Sequence, residues 1–449
     1  MKRFLSLAII VVLVFSMLAG CAASAQVSSE NPTQTTATTG NSNESIATNE
    51  PITIRISWWG SQTRHEMTQA ALELFKSKNP NVNFEMEYLS GPDYITKLAT
   101  QAATGQMPDL FQTDYSWISQ YVKKGLIADL NTYVQDGTID FKNVSKNVVV
   151  MGQSDGKQYA VPFGLNTTSM FYDPAVFAKA GINGIDPKWT WTDYDKILTT
   201  VYNQTGVAAL PLYYHIPESL TEISVRQQGL RLFAADGTSL GFDDPAVIQP
   251  MFQRILDLTK AGVYVSPDIW STSKTTEDNG LVLGTASTAY GGSNQLVSYL
   301  KAANRDLSIT SVPFNGDKSG AFVKPSMMLS VSETASEPIK AMSAKIINFL
   351  INDPDVAKII KDERGVPVST VTREIVRADA SETSKKVVDY VQFIEENSLP
   401  GDGWAPERAS EVYSVIVDLY MQVAFQKVTP ENAAKTFMTK ANEILAKNK

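Results

Sequence analysis

From Ile52 the chain alternates apolar and polar side chains, ITIRISWW, placing Ile52, Ile54, Ile56 and Trp58 on one face. A period of two is the pattern of a half-buried strand. After Gly60, Thr63 and Glu66 have the spacing of a capping box, and Met67, Ala70, Ala71, Leu74 and Phe75 then recur at helical spacing. Asn79 and Pro80 end that run, and Val82, Phe84, Met86 and Tyr88 alternate again. The segment reads as one βαβ unit. In open sheets of such units ligands settle beyond the carboxyl ends of the strands, which here is the turn GSQTRH.

The same alternation continues downstream. A helix is expected from about Asp93 to Gly105, then a short strand through Leu110 and Phe111, a loop at Thr113–Ser116 and a helix ending near Gly125. DGKQYAVPFG reads as a turn and a strand, and TTSMFYDPAVFAKAG as a strand entering a helix capped by Asp173 with Pro174 at its first position. From residue 51 onward the chain has about 400 residues, too many for one core and suited to two domains. Strand-like and helix-like runs interleave throughout, so the fold class is α/β with largely parallel sheets.

Upstream the pattern changes. Lys2 and Arg3 precede an apolar run from Phe4 to Leu18, then Ala19, Gly20 and Cys21, the one cysteine of 449 residues. A charged start, a short apolar stretch and small residues make a secretory signal over residues 1–20. LAGC resembles the lipobox of bacterial lipoproteins, which makes Cys21 the expected lipidation site and anchors the protein at the outer face of the cytoplasmic membrane. The run is shorter than the roughly 20 residues a membrane-spanning helix needs. Residues 21–50 are rich in Ser, Thr, Asn, Gln and Ala and read as a disordered tether, with an r.m.s. reach of about 30 Å.

Removing Lys2 and Arg3 takes the formal net charge from −8 to −10, which argues against a nucleic-acid partner. With one cysteine and two histidines, His65 and His215, the chain has no zinc-spaced cluster, and Walker and H-E-x-x-H motifs are absent. No metal or cofactor is expected. GQSDG at Gly152–Gly156 matches a nucleophile elbow, but that elbow needs a helix straight after Ser154, and KQYAVP is extended. Asp243 and Asp244 could serve as glycosidase carboxylates; DDP before a helical run reads better as a cap.

Tryptophan carries more information, because flat indoles stack on the C–H faces of sugars while amides and carboxylates bond the hydroxyls. Trp58 continues the inward alternation and belongs to the core, whereas Trp59 stands evenly between core and ligand. Trp189 and Trp191 flank the helix start WTDYD, where Thr192 and Asp195 resemble a capping box, and read as structural. Trp270 in SPDIWSTS and Trp404 in GDGWAPE sit in polar sequence without an apolar stripe, which favours ligand contact. Arg64 opposes the dipole of the helix it begins, and His65 reads as a surface or supporting group rather than a metal ligand. Asn166 in PFGLNTT is balanced between turn and ligand contact.

Five stretches in order, ATGQMPDLFQTDYSWISQYVKKGLIADL, DGKQYAVPFGLNTTSMFYDPAVFAKAGI, RQQGLRLFAADGTSLGFDDP, DERGVPVS and VTPENAAK, resemble the family 1 solute-binding proteins of bacterial sugar ABC transporters. The resemblance covers essentially everything after the tether. It implies a two-lobed periplasmic-binding-protein-like fold of type II, each lobe a central sheet flanked by helices. The boundaries it suggests are 51–163 plus 317–368 for lobe one and 164–316 plus 369–449 for lobe two. It further implies a non-catalytic monomer that closes on an oligosaccharide and delivers it to permease subunits. Family ligand contacts fall here on Trp59, Gly60, Ser61, Gln62 and Arg64, on Asp114, Tyr115 and Trp117, on Asn166 and Thr167, on Gly291, Gly292, Ser293 and Asn294, and on Trp404. Trp270 is added from its own context. The chain departs from the family where relatives often carry an acid on the crossover strand, here Asn166, and where they carry an aromatic, here YGGSN. A glycosidase, or the same fold with a peptide or phosphorylated polyol as cargo, remains the alternative.

Overall fold

The computed structural model describes residues 50–212 and 217–448. The expected signal, Cys21 and the tether up to residue 49 lie outside the described residues, as does His215. Eight strands carry the architecture: β1 (Ile52–Trp59), β2 (Val82–Leu89), β3 (Leu110–Thr113), β4 (Val161–Asn166), β5 (Thr168–Tyr172), β6 (Thr288–Gly292), β7 (Ser308–Thr310) and β8 (Lys324–Val331). A five-stranded sheet has the order β2-β1-β3-β8-β4, and a three-stranded sheet the order β6-β5-β7. Each is flanked by helices, giving a two-lobed α/β fold.

The expected predominance of parallel pairing holds only at one edge. β1 runs parallel to β2 and β3, but β8 is antiparallel to β3 and β4, and all of the smaller sheet is antiparallel. The reason is the path of the chain. β4 leaves the larger sheet and continues after Thr167 into β5 of the smaller one, while β8 returns in the opposite sense beside it, pairing Lys324 with Asn166. Strands that carry the chain out and back must oppose one another.

The opening unit forms as its pattern requires, with Ile54, Ile56 and Trp58 buried and β1 in register with β2 from Ile52↔Val82 to Trp59↔Leu89. The helix Gln62–Lys78 begins earlier than Thr63, because Ser61 is its N-cap, with its hydroxyl accepting from the Arg64 N–H at 3.2 Å. The buried face is turned accordingly: His65, Thr68, Ala71, Leu72 and Phe75 face inward. Two of these are polar, and each has a buried partner. Trp58 Nε1 donates to His65 Nδ1 at 3.1 Å, which requires an unprotonated Nδ1, and burial followed by Arg364 and Arg64 lowers the His65 pKa. Thr68 Oγ1 accepts from the buried guanidinium of Arg364, which also donates to Gln112 Oε1 and lies 5.6 Å from the Phe163 ring. Burial pushes the Arg364 pKa down to about 9. Trp58→Phe is expected to keep the aromatic volume but orphan the His65 acceptor, costing about 1–2 kcal/mol in urea unfolding.

Other local readings are displaced rather than lost. The capping box expected at Thr192 and Asp195 forms at Thr190 and Asp193, and Trp189 and Trp191 are tied down by indole donation to Ser311 O at 2.9 Å and Gln227 Oε1 at 2.8 Å. Asp244 caps its short turn by accepting from Ala246 N–H at 2.8 Å. Ser154 lies in a two-residue hairpin, Gln153–Ser154 against Lys157–Gln158, without a following helix.

Candidate functional site

The carboxyl end of β1 opens onto an aromatic cluster. Trp59 lies 5.3 Å from the Tyr94 ring and 6.4 Å from Trp117, and Trp117 lies 5.2 Å from Tyr121. These rings cover a satellite core that includes Phe111, Tyr115, Ile118, Met151 and Met328; Tyr159, Phe322 and Trp404 complete the half-buried layer over it. Thus Trp59, Tyr115, Trp117 and Trp404, drawn from three distant parts of the sequence, meet in one place. A half-buried aromatic layer offers flat apolar faces to a ligand.

Trp404 arrives on the segment between helices Glu382–Glu396 and Ala409–Ala424, hereafter the strap. Three bonds tie it across to the larger-sheet side. Asn147 Nδ2 donates to Ser398 O at 3.2 Å, the Tyr115 hydroxyl donates to Gly403 O, and Trp404 Nε1 donates to Met151 O at 2.9 Å. Its other anchor is Arg226, at the end of helix Pro217–Arg226, which donates to Leu399 O at 3.2 Å, Pro400 O at 2.8 Å, Gly320 O at 2.9 Å and the Asp402 carboxylate. The Arg226 guanidinium stands 5.0 Å from the Phe322 ring centroid. A Cβ at Gly401 would stand 2.9 Å from the Met151 methyl and 3.0 Å from the Phe322 ring, so those side chains would have to shift, and Gly403 has φ +98°, a left-handed value that favours glycine.

Asn166 Oδ1 and Asp402 Oδ2 are buried without a donor. Glu222, one turn before Arg226, is half-buried; loss of solvation pushes its pKa up to about 7, against the pull of Arg226, with Asp402 adding to the rise. Burial likewise raises the Tyr115 hydroxyl well above its ordinary value.

Several expected contact residues are held in local structure. Arg64 Nη2 donates to Glu363 O at 2.8 Å and Nε lies 3.6 Å from Glu363 Oε1, so its charge is already answered; its pKa is lowered by burial. Gly60 has no room for a Cβ beside the Arg64 stem. Ser61 is a cap, Gln62 bonds Glu66 at 2.9 Å, and Asp114 accepts from Ser116 N–H at 2.8 Å. Thr167 and Ser293 bind one another where the two sheets join, Thr167 N–H to Ser293 Oγ at 3.2 Å and Ser293 N–H to Thr167 O at 2.8 Å. Gly291 and Gly292 end β6, paired with Ser169 and Thr168, and Asn294 is exposed.

Trp270 departs from its expected place. Pro267–Trp270 forms one helical turn rather than a polar loop, and the indole is only 4% exposed within the main core. Tyr159, Phe322, Glu222, Arg226 and Asp402 were not singled out from sequence, although Tyr159, Arg226 and Asp402 stood inside quoted motifs.

Among the described residues there is no cluster of metal-ligating side chains and no helix long and apolar enough to cross a membrane. A family model for bacterial extracellular solute-binding proteins matches residues 70–389. The chain belongs to that family. A solved extracellular solute-binding protein of family 1 from Alicyclobacillus acidocaldarius superimposes on this solute-binding protein with a TM-score of 0.77 at 28% identity, covering 88% of this chain and 99% of the other. A binding protein of Brucella abortus is 23% identical over 390 residues, 83% of this chain and 88% of its own. A maltotriose-binding protein of Pyrococcus abyssi is 24% identical over 148 residues, 32% of this chain and 30% of its own.

Proposed function

We propose that this solute-binding protein takes up an oligosaccharide between its lobes and passes it, chemically unchanged, to the permease of an ABC importer. The observation that carries this reading is the half-buried layer of Trp59, Trp117, Tyr159 and Trp404 beside buried acceptors without donors, Asn166 Oδ1 and Asp402 Oδ2. Sugar rings present apolar C–H faces to such rings and hydroxyl donors to such acceptors. The partial likeness to a maltotriose-binding protein points the same way. Closure is favoured because only the closed form touches the solute from both sides. On this reading the protein acts as a monomer, held at the outer membrane face by lipid on Cys21, and its lobes divide at the residues the resemblance suggests.

A thermal-shift panel including maltotriose, lactose and diacetylchitobiose should contain at least one stabilising sugar, because a ligand selective for the folded state raises its stability. A broad neutral and acidic glycan panel with no shift sinks the saccharide reading. The rival reading is a glycosidase, for which a carboxyl raised by burial, as at Glu222, would serve as the acid. Mass spectrometry of the sugar recovered after prolonged incubation separates the two, since transport returns it intact.

A further inference from the structure

Helix Pro354–Ile360 ends in a turn that carries two left-handed residues, Lys361 at φ +52° and Gly365 at φ +94°. Between them Arg364 lies against β4. A Cβ on Gly164 would collide with the Arg364 carbonyl, and Leu165 and Val366 exchange both backbone bonds, at 2.8 and 2.9 Å. From a backbone fixed there the Arg364 side chain enters the core, where the residue is 2% exposed.

The charge of Arg364 meets no counter-charge. Its terminal nitrogens donate to Thr68, to Gln112 and, at 3.3 Å, to Met327 Sδ, and none of these is an acid. Glu363, the adjacent residue, turns its carboxylate to Arg64 at 3.6 Å and to the Ser61 hydroxyl at 3.3 Å. No ion pair joins Arg364 to a carboxylate of the described residues. A buried charge without a partner is among the costliest defects a core can hold.

Donors without acceptors collect beside it. Arg364 Nε is buried with no partner, and so is Nε2 of Gln112, whose Oε1 accepts from Arg364 Nη1. A third is the Ser326 hydroxyl, which stands where a Cβ on Gly365 would fall. Ser326 owes its place to a bulge: the register of β8 with β4 slips on both sides of Met327 and leaves Ser326 without a partner on β4.

A cavity of about 20 Å³ adjoins these groups. Phe163, Ile351 and Ile360 wall it, and its polar side chains are Thr372, Lys361 and Arg364. The Phe163 ring lies 5.6 Å from the Arg364 guanidinium, which connects the cavity to the unanswered charge. Thr372 donates to backbone carbonyls, Ser369 O at 3.1 Å and Ile351 O at 3.3 Å, and Lys361 pairs with the exposed Asp379 at 3.4 Å. Both charged residues of the lining are therefore cations, and Arg364 is the one still without an anion.

We propose that a single small monovalent anion, chloride in particular, binds in this cavity against Arg364, with Nε as its donor. Size and charge together select it. A volume of about 20 Å³ admits one guest of about the size of a water molecule, so phosphate, sulfate and the carboxylate of a solute are excluded. Water itself fits, but it answers a donor and leaves the charge uncompensated. The anion fastens the turn after Pro354–Ile360 to the larger sheet, beside the point where β4 leaves it. The site is independent of the saccharide reading, since it acts on the stability of the larger-sheet side.

The test melts the full chain in sodium chloride, sodium bromide and sodium fluoride at equal ionic strength, so that screening is common to all three. Chloride and bromide are expected to raise the melting temperature by about 2–3 °C over the strongly hydrated fluoride, and the rise should grow with the logarithm of halide concentration. Arg364→Met keeps the length of the side chain without its charge and should lose this dependence. Equal melting temperatures in the three salts overturn the proposal, and so does a halide effect that persists in Arg364→Met, which would place it elsewhere. If the variant does not fold, anomalous diffraction from wild-type crystals grown in bromide decides. A bromide peak against Arg364 Nε supports the site, and a water there without anomalous signal overturns it.

Discussion

Arg226→Ala is expected to destabilise the protein by about 3 kcal/mol and to loosen the strap from the cleft. Arg226 is 7% exposed in its side chain and the Asp402 carboxylate 25%, so both charges lie where water screens them poorly. Truncation leaves the Asp402 carboxylate, already short of a donor at Oδ2, with only the more distant Arg231. It also strips the donors from Leu399 O, Pro400 O and Gly320 O, and removes the cation over the Phe322 ring. Calorimetry should show a melting point lower by several degrees. Small-angle scattering of the solute-free variant should show a larger radius of gyration than wild type, because the three cross-bonds to Ser398, Gly403 and Trp404 depend on a strap held in place. An unchanged melting point and radius would mean that Asn147, Tyr115 and Met151 alone suffice. Arg226→Lys is a useful companion: it restores charge but not the planar fork that reaches four acceptors, so it should recover only part of the loss.

What could be read from the sequence followed the range of the interactions. The unit from Ile52 to Tyr88 was legible because its period-two and helical patterns are local, and the paired strands bury Ile54, Ile56, Trp58 and Val82 as those patterns select, while Tyr88 at the strand end stays exposed. The inward face of helix Gln62–Lys78 was misplaced for a physical reason. His65 and Thr68 read as polar, yet they are buried because Trp58 and Arg364 reach them, one from the neighbouring strand and one from nearly 300 residues downstream. The same rule separates the two loop tryptophans. Trp270 and Trp404 look alike in sequence, but the first closes a helical turn into the core while the second lies on a glycine-built strap. Arg64 looked free because its partner, Glu363, is equally distant. Tyr115, Trp117 and Trp59 were legible as strand-end aromatics; Phe322 was not, since nothing near it in sequence marks the aromatic layer it joins.

Trp404→Ala is expected to weaken oligosaccharide binding about a hundredfold while leaving the fold intact. The indole is half-buried and has Tyr159 at 6.4 Å, so one part of its surface is fixed by protein and the rest is available to a sugar face. Covering about 100 Å² of apolar surface contributes about 2.5 kcal/mol, and close to 3 kcal/mol once face-specific attraction is added. At 1.4 kcal/mol for each factor of ten, roughly two orders of magnitude in affinity follow. The fold survives because the indole is no part of the main core and its single hydrogen bond, Nε1 to Met151 O, is on a half-buried edge. Trp404→Phe separates the two jobs of the side chain: it keeps an aromatic face but gives up the bond to Met151. Affinity near wild type in that variant, with loss in the alanine variant, assigns the effect to stacking; equal loss in both assigns it to the strap. Affinity unchanged in Trp404→Ala would remove this residue from the ligand site and leave Trp59 and Trp117 as the stacking surface.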